Sequence, residues 1–413
     1  MERLASYWIS KAQLGPLPRF IFFYAFLYAA FGAASPFLPA FFAERGLSPE
    51  QIGVVLAAST AVRLISGPTA GRIADLFHAV RLVLCVCTAA AAIAALCYFP
   101  AHSFWLLLVV AVVHSAMLAP LTTNADALTL AASMKSHGRK GFEYGWVRGA
   151  GSAAFIIGAL IAGQAVGETD ISAVIGIHAL ALAVAVAAAL ILPDALKQAA
   201  DRPTAVEAAG LRVLLRSKVF VRLVLIAGLV LGSHAMHDSF AVIRWRAGGI
   251  DAGLASLLWS EAVAAEVVIF LLFGPQLVDR LGPAGALALA CSAGIVRWVI
   301  MGLTASVAAM VIIQPLHGFT FALLHLACMR LIAADVPREF AATAQAIYGT
   351  LGVGLATVLL TLLSGWLYAQ FGAHGFWAMA AICALALPLI WDLSRIQRAQ
   401  IGNTLCEGRQ QAQ

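Results

Sequence analysis

Seven ionisable side chains stand inside stretches that are otherwise apolar: Asp126, Arg148, Asp238, Glu261, Glu266, Arg297 and His317. Carboxylates and imidazoles exchange protons, and a guanidinium is a donor-only cation suited to holding an anion. A charge at a bilayer centre costs about 2.5–3.5 kcal/mol on insertion scales, and Leu or Ala at these positions would avoid that cost. Their presence points to a polar path where protons or a polar solute are handled.

The elements that must position these groups are helices. The chain has 413 residues, 62% hydrophobic and 11% charged, whereas a soluble domain carries about 25% charged residues. Runs rich in Leu and Ala recur at lengths that span a bilayer. They are continuous rather than alternating, which excludes an outer-membrane barrel. Twelve spans are predicted, at 18–43, 50–72, 81–100, 104–131, 144–165, 171–193, 218–243, 253–277, 283–303, 306–332, 341–369 and 374–394. Helix is the only open form that satisfies its own backbone hydrogen bonds in lipid. The expected fold class is an all-α membrane protein.

The one long polar connection splits these spans six and six. The expected organisation is an amino-terminal bundle over 1–193, a cytoplasmic linker over 194–216, and a carboxyl-terminal bundle over 217–413 ending in a short cytoplasmic tail. With both termini inside, roughly 20 of the 26 basic residues fall on the cytoplasmic side. The net charge of +6 is spread over those short connections, which argues against a nucleic-acid partner. The seven cysteines have no ligand-like spacing, so neither a metal nor a disulfide framework is expected.

The two halves echo one another. Gly71-Arg-Ile-Ala-Asp75 follows the second span, and Gly274-Pro-Gln-Leu-Val-Asp279-Arg280-Leu-Gly282 follows the eighth. Repeated halves with a site at their interface are a transporter architecture, although Gly and Asp also recur in ordinary tight turns. Gly71, Asp75, Asp279 and Arg280 are read as a cytoplasmic gating motif, with Arg63 as a possible brace for Asp75.

Several segments carry a resemblance. The first span ends Gly32-Ala-Ala-Ser-Pro36-Phe37-Leu38-Pro39, followed by Glu44-Arg45-Gly46-Leu47-Ser48-Pro49-Glu50. Span seven reads Gly232-Ser-His234-Ala-Met-His237-Asp238, span nine carries Arg297-Trp298, and span ten reads Gln314-Pro-Leu316-His317-Gly318. Together these resemble the phenylpropionate-permease branch of the major facilitator superfamily, which is related to the lactose-permease and nucleoside–proton symporter branches. The resemblance implies two pseudo-symmetric six-helix bundles working by alternating access. Phe142-Glu143-Tyr144-Gly145-Trp146-Val147-Arg148 resembles the start of span five in the lactose-permease branch. There the matching arginine holds substrate with an acid on span four, which would be Asp126 here. By the same resemblance Arg297 matches the coupling arginine and His317 the span-ten histidine. The acid one turn beyond that histidine is absent, Thr320 stands nearby, and span eleven has no lysine. A lactose-type relay is therefore not carried over whole.

Depth along the spans gives a separate reading. Asp126 and Arg148 lie at similar cytoplasmic depth on neighbouring spans, as a pair that could open to hold a solute or could be a permanent structural bridge. His234 and Asp238 are four apart and share a helical face, with His237 pointing elsewhere. A carboxylate out of water beside a removable cation can take up a proton near neutral pH. Asp238, Glu261, Glu266, Arg297, His234 and His317 form the expected proton-coupling set, with interhelical packing pairs as the plain alternative. Substrate contacts are expected from Asp126, Arg148, Asn124, Tyr28, Trp259, His317 and Tyr348. His114 and His325 are read as satisfied packing.

The expected function is proton-coupled secondary transport of a small organic solute across the inner (plasma) membrane, by a monomer that needs no cofactor beyond the proton gradient. An aromatic acid such as 3-phenylpropionate fits the resemblance. A nucleoside, a sugar or glycoside, or an exported drug or metabolite are alternatives on the same fold, and a non-transporting sensor is an alternative of another class. A membrane-embedded enzyme is disfavoured, because the chain has no HExxH, no Gly-x-Ser-x-Gly and no phosphate loop.

Overall fold

The computed structural model describes residues 15–134, 141–193 and 207–411. Residues 194–206 of the expected linker lie outside the described residues. The described chain is almost wholly helical, with no strand among the described residues. Nine helical runs among these residues are long and apolar enough to cross a membrane. Two of them, 252–303 and 338–398, each contain two of the expected spans. The connections inside those runs are tight turns. Gly282 turns at φ +70° and Gly372 at φ +54°, a backbone that residues with a Cβ rarely adopt.

The chain divides into two compact units. The first comprises the described residues of 1–46, 58–201 and 252–257. Its helices are α1 (Pro16–Glu44), α2 (Pro49–Leu76, whose first turns belong to the second unit), α3 (Val80–Leu96), α4 (Phe104–Ser133), α5 (Tyr144–Glu168) and α6 (Ala173–Leu190). The second comprises the described residues of 47–57, 202–251 and 258–413. Its helices are α7 (Glu207–Arg216), α8 (Lys218–Gly232), α9 (His234–Ala247), α10 (Ala252–Val268), α11 (Gly274–Leu303), α12 (Val307–Ile313), α13 (Leu324–Asp335), α14 (Ala341–Ile347), α15 (Ala356–Phe371) and α16 (Gly375–Gln411). Three wide π-helical turns, Ile269–Phe273, Phe319–Leu323 and Tyr348–Leu355, interrupt helices of this second unit.

Helix starts follow local chemistry. Ser103, Ser217 and Ser306 accept from the backbone N–H three residues on, in Leu106, Phe220 and Ala309, which satisfies a donor the helix leaves unpaired. Ile65, Leu82, Ile93, Trp105, Ile312 and Leu385 are each more than half exposed. Such an apolar surface is a liability in water and suits a bilayer.

In the first unit α1 is the central helix, and its packing against α5 depends on small residues. A Cβ built on Gly158 would stand 2.7 Å from Ala29 Cα, and one on Gly32 would stand 2.9 Å from Phe155 Cα. Neither position has room for a side chain. Backbones that approach this closely gain dispersion contacts, which drive helix association where lipid tails are as apolar as Leu.

Candidate functional site

The first unit brings four polar side chains to one place. Tyr24 and Tyr28 are one turn apart on α1 and therefore share a face. Their rings stack, with centroids 5.6 Å apart and planes 8° from parallel. From α4, Asp126 accepts a hydrogen bond from the Tyr24 hydroxyl. From α5, Arg148 Nη1 donates to the Tyr28 hydroxyl and lies 3.6 Å from Asp126 Oδ1. The guanidinium also sits over the Tyr28 ring, 5.3 Å from its centroid. Gly151 on α5 gives this pair its space, since a Cβ there would come within 3.2 Å of the Tyr28 ring. The Arg148 side chain is 44% exposed and that of Asp126 31%, so this ion pair is open to exchange. Asn124, on α4, is buried and its Nδ2 has no hydrogen-bond partner.

The second unit assembles a cluster around Arg297, whose side chain is fully buried on α11. Nη1 lies 3.0 Å from His317 Nδ1, and Nη2 lies 3.3 Å from His237 Nε2 and 3.0 Å from Gln314 Oε1. The guanidinium stacks 4.7 Å from the Trp298 ring centroid. Arginine only donates, so both histidine nitrogens facing it must accept. Each imidazole is therefore neutral and carries its proton on the other nitrogen. For His317 that nitrogen is Nε2, 3.5 Å from Glu266 Oε2. For His237 it is Nδ1, 3.3 Å from Asp238 Oδ1. One sealed cation thus reaches two carboxylates, each through one oriented imidazole. The carboxylate ends are accessible: the Asp238 side chain is 58% exposed and that of Glu266 29%.

The structure corrects several sequence expectations. His234 bonds the Val230 and Leu231 carbonyls and the Thr320 hydroxyl at 2.9 Å, and its ring packs on that of His317 at 5.3 Å. His237, expected to point elsewhere, also joins the cluster, facing Arg297 and Asp238. Glu261 is five residues before Glu266 on α10, about 140° around the helix, and stays outside it. Trp259 is buried and stacks on the His237 ring at 5.0 Å, and Tyr348 is buried against His325 Nδ1 at 3.1 Å. Both pack against histidines. Arg63 and Asp75 are twelve residues apart on continuous α2, about 18 Å along its axis, so the expected brace does not form. Asp279 is bonded to Arg330 of α13, while Gly71, Asp75 and Arg280 lie at the surface or near it.

Sequence reasoning gave no role to Tyr24, Gln314 or Arg330. The Tyr24-x-x-x-Tyr28 spacing and a glutamine within an apolar run were the available signals. The buried histidines of the first unit form a separate chain. His178 Nδ1 donates to the Ala30 carbonyl at 2.7 Å, and His114 Nε2 lies 2.9 Å from His178 Nε2. Among the described residues no group of three or more His, Cys, Asp or Glu could hold a metal ion, and the six cysteines with described side chains are free thiols.

An open ion pair on one helical bundle and a sealed cation flanked by proton-bearing groups on another is an arrangement for handling solute and charge. Residues 17–379 match the family described as MFS_1 like. The chain belongs to that family. It is a multi-pass membrane transporter of the major facilitator superfamily and has the all-α major facilitator fold. It is 33% identical over 372 residues to the "Probable 3-phenylpropionic acid transporter" of Escherichia coli (strain K12), covering 88% of this chain and 93% of that protein. It is 26% identical over 373 residues to a maltose permease of Geobacillus stearothermophilus, covering 90% and 92%. The solved nucleoside transporter NupG superposes with a TM-score of 0.80 at 15% identity, over 92% of this chain and 99% of that one.

Proposed function

We propose that this protein is a proton-coupled secondary transporter of an aromatic carboxylic acid such as 3-phenylpropionate, working by alternating access in the inner (plasma) membrane. Both termini lie in the cytoplasm, the monomer is the working unit, and the proton gradient is the energy source. The observation that carries the substrate class is the guanidinium of Arg148, accessible and set over the Tyr28 ring. A carboxylate pairs with Arg148 in place of Asp126, and an aromatic ring packs beside Tyr28. The 33% identity to the Escherichia coli relative supports the same class.

Proton coupling falls to the carboxylates at the ends of the Arg297 cluster. A proton arriving on Asp238 or Glu266 removes the negative charge that the facing imidazole N–H addresses, and Arg297 transmits that change to the other arm. Arg297 itself is sealed, so it does not meet the solute.

Uptake into proteoliposomes tests this reading. An imposed pH gradient is expected to drive accumulation of 3-phenylpropionate, with nucleosides and maltose as the comparison solutes. Asp238→Asn or Glu266→Gln is expected to abolish uphill uptake and spare counterflow. Accumulation that ignores the pH gradient removes the coupling, and accumulation of maltose or a nucleoside in place of the acid removes the substrate class.

A further inference from the structure

A groove of about 600 Å³ opens where the start of α11 meets the last membrane-depth turns of α16. Leu281, Pro283 and Ala288 form one wall, and Leu387, Ile390 and Trp391 form the other. Ser394, Gln397 and Arg398 close one end. The groove is thus apolar along its length and polar at a single end. Arg395 lies beside that end, its guanidinium 4.9 Å from the Trp391 ring centroid. The acid of this segment, Asp392, is turned away and engaged by Arg222 of α8, so the polar end keeps its positive charge.

Distance along α16 sets the depth. From Gly375 the helix rises about 24 Å to Trp391 and about 30 Å to Arg395, against a hydrocarbon core of about 30 Å. An exposed tryptophan at that height marks a membrane interface, and Trp391 is 63% exposed. The apolar walls lie within the acyl region and the arginines among the head groups. We propose that this groove is a binding site for one anionic phospholipid, whose acyl chain lies between α11 and α16 and whose phosphate meets Arg395 and Arg398. Nothing in this site depends on the transported solute or on proton coupling.

Trp391 is a reporter at the site. The chain and its Trp391→Phe variant are reconstituted in phosphatidylcholine containing graded fractions of brominated phosphatidylglycerol or brominated phosphatidylcholine, and the difference in fluorescence isolates Trp391. Brominated phosphatidylglycerol is expected to quench at lower mole fractions than brominated phosphatidylcholine. An arginine near a membrane surface is worth about fivefold in anionic-lipid affinity, so Arg395→Gln with Arg398→Gln is expected to weaken that preference by roughly 25-fold. Quenching of the same double variant by brominated phosphatidylcholine shows that it is inserted. Equal quenching by the two lipids in the native chain, or a preference that survives in the double variant, overturns the proposal. Quenching by neither lipid, as when a second copy of the chain covers the groove, overturns it as well.

Discussion

Replacing Gly158 by Ala is expected to weaken substrate binding without touching a substrate contact. The new Cβ stands 2.7 Å from Ala29 Cα, whereas carbon atoms pack at about 3.5–4.0 Å. The obstacle is backbone, so α1 and α5 must separate locally by roughly 0.8–1.3 Å. Tyr24 and Tyr28 ride on α1 and Arg148 on α5, and the bond between Arg148 and the Tyr28 hydroxyl spans that gap. A hydrogen bond to a charged group contributes about 1.5–3 kcal/mol. Displacing Arg148 from the substrate carboxylate by that distance loses one such bond and raises the dissociation constant by about 10- to 150-fold. Overpacking itself costs about 1–3 kcal/mol of stability. Gly149→Ala is the control on the same helix, because a Cβ there meets nothing within 4 Å. Binding of labelled substrate to detergent-solubilised protein, with a melting curve for each variant, separates the two effects. Native affinity in Gly158→Ala would refute the claim that the α1–α5 approach sets the geometry of the pair.

Other perturbations address the remaining contacts. Arg148→Lys keeps the charge but loses the planar fork, and the apparent KM for the carboxylate is expected to rise at least about tenfold, read by counterflow. Arg297→Lys cannot reach His237, His317 and Gln314 together; uphill uptake is expected to vanish while the protein still inserts and melts cooperatively. His237→Gln is expected to uncouple transport as His317→Gln does, which parallel uptake curves across pH would check. Reversing the Asp279 and Arg330 charges singly is expected to slow counterflow, and the double reversal Asp279→Arg with Arg330→Asp to restore it.

Much of the fold was legible because hydropathy is a bulk signal: twenty apolar residues in a row require a spanning helix whatever their order. The breaks inside the two merged runs were legible too, since Asp279 and Arg280 precede the turn at Gly282 and a glycine stands at the turn at 372. The amino-unit pair was legible in the same way, since Asp126 and Arg148 lie at one depth on neighbouring spans. Helix rotation was not. His237 adjoins Asp238 in the chain and was expected to point elsewhere, yet its ring faces both that carboxylate and Arg297. Gln314 escaped notice because a neutral amide carries no charge to mark it, although it braces both Arg297 and His237. For Arg330 and Arg222 the rule that basic residues gather inside accounts for them before any partner is sought.

Two of the three wide turns follow directly on cluster residues. Ile269–Phe273 comes three residues after Glu266, and Phe319–Leu323 comes two after His317. Among the described residues the helices of the first unit contain no such turn. A π turn holds one residue more than an α turn, and moving it along a helix re-aims each residue it passes by about 100°. The hydrogen-bonded column stays intact while its register changes. Glu266 and His317 therefore stand on swivels, whereas Arg148 and Asp126 stand on fixed posts.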